Sequence, residues 1–190
     1  MNEIKKCIIF GVALLLIVNG VFYTAFADHD DHKEKRRYQK RELRHSEHNG
    51  KRNLTIVNNP TYTENCGACH FAYQPGLLPS DSWDKILNSL ADHFGEAIEL
   101  ELESKKIIVE YLKANAANYS SAKISSKIMQ SIGNQTPKRI TEIPYIQKNH
   151  HEISQDVIKR ESIGSLSNCL ACHTTAEEGI YEDDNVKIPR

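Results

Sequence analysis

Two five-residue segments of this chain have the spacing to hold a porphyrin: Cys66-Gly67-Ala68-Cys69-His70 and Cys169-Leu170-Ala171-Cys172-His173. Each reads C-x-x-C-H, the attachment signal of a c-type haem. Two thiols at this spacing sit on one turn, where they reach the two vinyl groups of one porphyrin and form thioethers. The histidine that follows is then held over the iron as its proximal ligand. One such segment arises easily by chance. Two of them use four of the five cysteines, and the fifth, Cys7, lies in an N-terminal segment that reads as a cleaved leader. Cys66, Cys69, Cys169 and Cys172 are thus candidates to bind two covalent haems, with His70 and His173 as proximal iron ligands.

The ligand on the opposite face decides what each iron can do. Methionine there raises the reduction potential. The chain has two methionines, Met1 and Met129. Met1 goes with the leader, so methionine at both irons is excluded, and histidine is the other common choice. Four of the nine histidines (His29, His32, His45 and His48) lie in a charged N-terminal stretch. With the two proximal ones set aside, His93, His150 and His151 remain. Ile86, Leu90, His93 and Ala97 follow a helical i, i+4, i+7, i+11 pattern, which puts His93 on an apolar face. A core histidine bonded to backbone is the bland alternative. Two irons that each need a ligand favour ligation. His150 shares its helical face with Ile146, Ile153 and Val157, whereas His151 shares its face with Gln147 and Ser154, so helix geometry selects His150. His93 lies 23 residues after His70, and His150 lies 23 residues before His173. This pairs His70 with His93 and His173 with His150.

The elements that must position these residues read as mainly α, in two small haem-binding domains with little regular β structure. A helix is expected from Ser80 or Ser82 through Trp83, Ile86, Leu90, His93 and Phe94, ended or bent at Gly95. A second is expected from about Leu102 to Asn118. Pro144 suits the first turn of a helix that carries His150, and Gly179 stops the short helix after the second haem segment. Gln74-Pro75-Gly76 and Leu77-Leu78-Pro79 make a turn-rich wrap. The expected domains are 53–118 and 136–190. Residues 119–135, rich in Ser, Lys and Asn, read as the linker between them.

Before residue 53 the chain is of a different kind. Lys5 and Lys6, an apolar run from Cys7 to Val18, and Ala25-Phe26-Ala27 spell a signal peptide over residues 1–27, cleaved after Ala27. A retained membrane anchor is the alternative. Export suits covalent haem attachment, which in bacteria takes place outside the cytoplasmic membrane, so a periplasmic location is expected. Residues 28–52 are charged and almost free of apolar side chains, which reads as a flexible leader. The formal net charge of the whole chain is −1, which gives no sign of nucleic-acid binding.

At this point the chain resembles the bacterial dihaem cytochrome c (DHC) family, from about Pro60 to Pro189. The resemblance rests on Cys-Gly-Ala-Cys-His-Phe-Ala-Tyr-Gln-Pro-Gly-Leu-Leu-Pro at 66–79, Trp83, and Asp92-His93-Phe94-Gly95. It continues through Tyr111-Leu112 with Asn115-Ala116-Ala117, Thr136-Pro137-Lys138-Arg139-Ile140, His150, Asn168 to His173, and Gly179-Ile180-Tyr181. It implies two small haem domains, bis-histidine ligation and an electron carrier. It also implies a redox protein partner, either an oxygen-binding monohaem cytochrome c or a membrane cytochrome b. No small-molecule substrate is expected. Among alternatives, a dihaem enzyme of the peroxidase type also carries two C-x-x-C-H segments but keeps one iron open, and the chain is short for it. A zinc site built from the four cysteines leaves both following histidines unexplained.

Overall fold

The structure is a computed structural model that describes residues 35–40 and 53–190. The expected signal peptide, its cleavage site and most of the charged leader lie outside the described residues. Residues 35–40 are helical, with every residue exposed. Among the described residues no helix is long and apolar enough to cross a membrane.

Asn49–Arg190 forms a unit of its own. Its helices are α1 (Pro60–Cys66), α2 (Ser80–Asn88), α3 (Leu102–Ala114), α4 (Lys123–Ile132), α5 (Pro144–His150) and α6 (Gln155–Ile158). Short 3-10 turns join them, among them Pro75–Leu77, Leu90–Asp92 and Cys169–Ala171. The described residues contain no strand, only isolated bridges between His93 and Glu96 and between His173 and Val186. The architecture is mainly α, as the sequence indicates.

One apolar core runs through the unit. α3 packs on α2 and on α1, and α4 packs on α5. Trp83, Leu87, Ile108, Leu112, Ile128 and Ile143 are buried together in it, each aliphatic side chain contributing about 1.5–3 kcal/mol by leaving water. The wrap at Pro75–Leu77 is buried as well. Its Pro75 carbonyl accepts the Trp83 indole N–H at 2.9 Å, so the indole reaches the core with its one donor satisfied.

The structure revises four sequence expectations. The stretch 119–135 is not a linker: it contains α4, whose Ile128 and Ile132 are buried in the core. Ile124, Ile128 and Ile132 recur at helical spacing, and Ser125, polar in type, is fully buried with its hydroxyl donating to the Gly76 carbonyl at 2.8 Å. The helix expected to reach Phe94 stops at Asn88. Ser89 folds its hydroxyl onto the Lys85 carbonyl at 2.7 Å, a local bond that competes with the helix. Neither Ser80 nor Ser82 caps that helix. Its first turn is tied instead by the Asn118 side chain, whose oxygen accepts the Ser80 N–H at 2.8 Å. The next helix ends at Ala114 rather than Asn118. Pro144 does open α5. Gly179 ends its turn in the left-handed region at φ 74°, where a Cβ would also collide with the Leu54 carbonyl.

Candidate functional site

The first C-x-x-C-H grows out of α1. Asn59 caps that helix by accepting the Tyr62 N–H at 2.9 Å, and Cys66 is its last residue. Cys69 and His70 follow in the next turn. The Phe71 carbonyl lies 2.8 Å from His70 Nδ1. A carbonyl only accepts, so Nδ1 carries the proton and Nε2 keeps its lone pair.

His93 comes from a hairpin, not from a helix face. Its N–H donates to the Glu96 carbonyl at 2.7 Å, and the Glu96 N–H returns to the His93 carbonyl at 3.2 Å. The two residues between, Phe94 and Gly95, have φ of 60° and 103°, as a tight primed turn requires. The Asp92 carboxylate accepts the Gly95 N–H at 3.0 Å. Phe94 is the sole non-glycine with positive φ among the described residues, a conformation that costs about 1–3 kcal/mol and clusters at functional sites. The turn brings the His93 ring to 6.4 Å from the His70 ring, centre to centre, with 26° between planes. Burial, then the neighbouring His70, then Arg139, hold the His93 pKa below the usual histidine range.

A cavity of about 360 Å³ surrounds this pair. Cys66 and Cys69 line it, and Tyr62, Leu78, Trp83, Ile86, Leu87 and Leu112, all buried core residues, form its walls. Among the described residues its only charged lining side chains are Glu96, Lys138 and Arg139. Burial pushes the Cys66 thiol up to about 11, the opposite of what a reactive or metal-binding thiolate needs.

The second C-x-x-C-H is a 3-10 turn in which the His173 N–H donates to the Cys169 carbonyl at 2.7 Å. His150 ends α5, and its Nδ1 donates to the Ile146 carbonyl at 2.8 Å. The His150 and His173 ring centres lie 5.9 Å apart, with 61° between planes. His151 points elsewhere: it is exposed, with Nε2 3.9 Å from Glu152. The cavity around His150 and His173 measures about 150 Å³, and among the described residues no Lys, Arg, Asp or Glu lines it. Of its lining, only Ile163 is a buried core residue; the others, such as Ile146, Ile153, Leu166 and Tyr181, are partly exposed. Burial and the neighbouring His150 lower the His173 pKa, while Asp183 raises it. His173 Nδ1 is buried without a hydrogen-bond partner among the described residues. Cys169, like Cys66, is pushed up to about 11 by burial.

Residues with no assigned role in the sequence reading tie the two sites together. Tyr73 donates its hydroxyl to the Ser167 carbonyl at 2.6 Å. Gln74, fully buried, donates to the Ala176 carbonyl at 2.5 Å and accepts the Tyr181 hydroxyl at 2.7 Å. The Tyr181 ring in turn stands 5.4 Å from His173. Cys169 lines both cavities. A glutamine inside an otherwise apolar Pro-Gly-Leu-Leu-Pro wrap was the available signal, because a buried amide must find partners.

These distances allow a test of fit. Metal–imidazole bonds of about 2 Å on each side of an iron, with about 1 Å more from each nitrogen to its ring centre, place two axial rings roughly 6 Å apart. Both measured separations agree, and each pair stands in an apolar cavity that its own two cysteines also line. Among the described residues no three of the Cys, His, Asp and Glu side chains gather closely enough to ligate one ion, which does not suit a single zinc site built from the four cysteines.

Residues 62–181 match the family model for dihaem cytochrome c. The chain belongs to the dihaem cytochrome c family. It is similar to the dihaem cytochrome c from Rhodobacter sphaeroides, at 38% identity and a TM-score of 0.58, with 67% of this chain and 100% of that one covered. It is equally similar to a dihaem cytochrome c from Shewanella baltica OS155, at 36% identity and a TM-score of 0.58, covering 70% of this chain and 95% of that one. No curated protein gives a significant match. Membership brings two covalently bound c-type haems, each with its iron.

Proposed function

We propose that this chain is an exported electron carrier in which each haem iron is held between two histidines, His70 with His93 and His173 with His150. The observation that carries the reading is the presence of two histidine pairs at ring separations of 6.4 and 5.9 Å. Bound iron supplies reversible one-electron reduction. The rest is the work of the chain. Cys66 and Cys69 anchor one porphyrin edge in the first cavity, and Cys169 and Cys172 do so in the second. The Phe71 and Ile146 carbonyls fix the Nδ1–H tautomers of His70 and His150, so that Nε2 faces the metal. The apolar walls exclude water, which limits reorganisation on electron transfer. Cys169 lines both cavities, so the two cavities adjoin.

With a histidine on each face, neither iron has an open position. This favours a carrier over a peroxidase-type enzyme. Lys5, Lys6, the apolar run and Ala25-Phe26-Ala27 support export to the periplasm. A redox protein then completes the circuit, either an oxygen-binding monohaem cytochrome c or a membrane cytochrome b. The test is the absorption spectrum of the reduced protein with and without carbon monoxide. Low-spin bands unmoved by the gas are expected. A fast stoichiometric shift at either haem would favour the enzyme.

A further inference from the structure

The two cavities differ in a way their ligand pairs do not account for. Lys138 and Arg139 stand in the wall of the first, whereas among the described residues no cationic side chain other than histidine lines the second. A c-type haem brings two propionate carboxylates, on the side of the ring away from its thioethers. Carboxylates in an apolar cavity need cations or donors, and an arginine fork is the best match. Arg139 is also held in place: its guanidinium carbon stands 3.9 Å above the centre of the Phe94 ring, next in sequence to the axial candidate His93. Its ion pair with Glu142 is long, 3.7 Å through Nε, and both side chains are about half exposed. The terminal nitrogens donate to no described residue. The one acid in the cavity wall is Glu96.

We propose that Lys138 and Arg139 bind a propionate carboxylate of the first haem and thereby raise that haem's reduction potential. The physics is direct. An unpaired carboxylate near iron favours the more positive oxidised state, and pairing it with a cation removes that bias. The strained Phe94–Gly95 turn then has a second task besides presenting His93. It stacks the guanidinium at the cavity mouth, a cation–π contact available to a flat cation. This inference rests on the reading that the first haem lies between His70 and His93.

The test uses the full-length holoprotein in a spectroelectrochemical titration that resolves both haems. His93→Met, which raises the potential of the haem it ligates, marks which step belongs to the first haem. The double variant Lys138→Gln with Arg139→Gln is expected to make the first haem about tenfold harder to reduce, ~59 mV for one electron, and to leave the second in place. Arg139→Lys alone is expected to keep most of the potential, because the charge remains. Low-spin spectra with both potentials unchanged in the double variant would overturn the proposal, and so would equal shifts of both haems, which mark a general charge effect. A high-spin first haem in the unsubstituted protein is the separate result that would remove the ligand reading itself.

Discussion

The first haem site is carved out of the protein core, and the second is assembled at its edge. Six buried core residues wall the cavity around His70 and His93, against one, Ile163, around His150 and His173. The proposed distal histidine of the first comes from a strained hairpin 23 residues downstream of His70, and that of the second from a helix end 23 residues upstream of His173. The first has Lys138 and Arg139 in its wall, and among the described residues the second has no Lys or Arg. Two centres with the same attachment chemistry are thus given different surroundings, and surroundings set potential through burial, hydrogen bonding and charge. The two haem sites are therefore not interchangeable copies: one has walls drawn from the core, the other walls that are mostly part-exposed.

The largest expected effect breaks that comparison outright. Cys66→Ser with Cys69→Ser removes the anchor of a porphyrin that fills the core, and the product is expected not to accumulate as a cooperatively folding protein. Cys169→Ser with Cys172→Ser is expected to give a folded protein with one haem. Haem per chain and thermal unfolding of the two variants check this; the reverse outcome would mean that the edge site holds the fold together.

A smaller effect sharpens the boundary between the sites. Ile128, fully buried on α4, should cost about 2–5 kcal/mol when cut to alanine, lowering the unfolding midpoint of the holoprotein by roughly 10 °C. Were 119–135 a mere connection, Ile128→Ala would leave the melting curve where it was. Smaller still is the link that runs from the wrap to the second site. Tyr181→Phe leaves the buried Gln74 amide oxygen without its donor, a loss of about 1–3 kcal/mol. Since the Tyr181 ring stays in place over His173, the low-spin spectrum is expected to persist.

Much of this was legible from residue types and spacing. The four cysteines and two proximal histidines are contiguous in sequence, so no folding knowledge is needed to find them. His150 was set apart from His151 by a helical face running on to Ile153 and Val157, but α5 ends at His150 itself; the structure places the His150 ring 5.9 Å from His173 and leaves His151 exposed beside Glu152. His93 was reached by a helical argument, although the chain there is a 3-10 turn and a hairpin. The apolar pattern pointed inward, but the device differed. Ser89 ends the helix and Asp92 ties the following turn, each through a bond to backbone, and such choices do not show in periodicity. α4 was hidden by its Ser and Lys content, because polar type was taken for exposure. The clamp of Gln74 on Ala176 and Tyr181 joins residues more than a hundred positions apart, and no local pattern encodes a partner so distant.

The claim that each iron is held by two histidines in two different geometries is tested most directly by electron paramagnetic resonance of the oxidised holoprotein. Axial rings close to parallel give a rhombic low-spin ferric signal, and strongly crossed rings give a more anisotropic one with a larger maximum g value. With 26° between His70 and His93 and 61° between His150 and His173, the account expects two distinct low-spin signals of equal intensity. His93→Ala should remove the rhombic signal and His150→Ala the more anisotropic one. A high-spin ferric signal from either haem in the unsubstituted protein would contradict it.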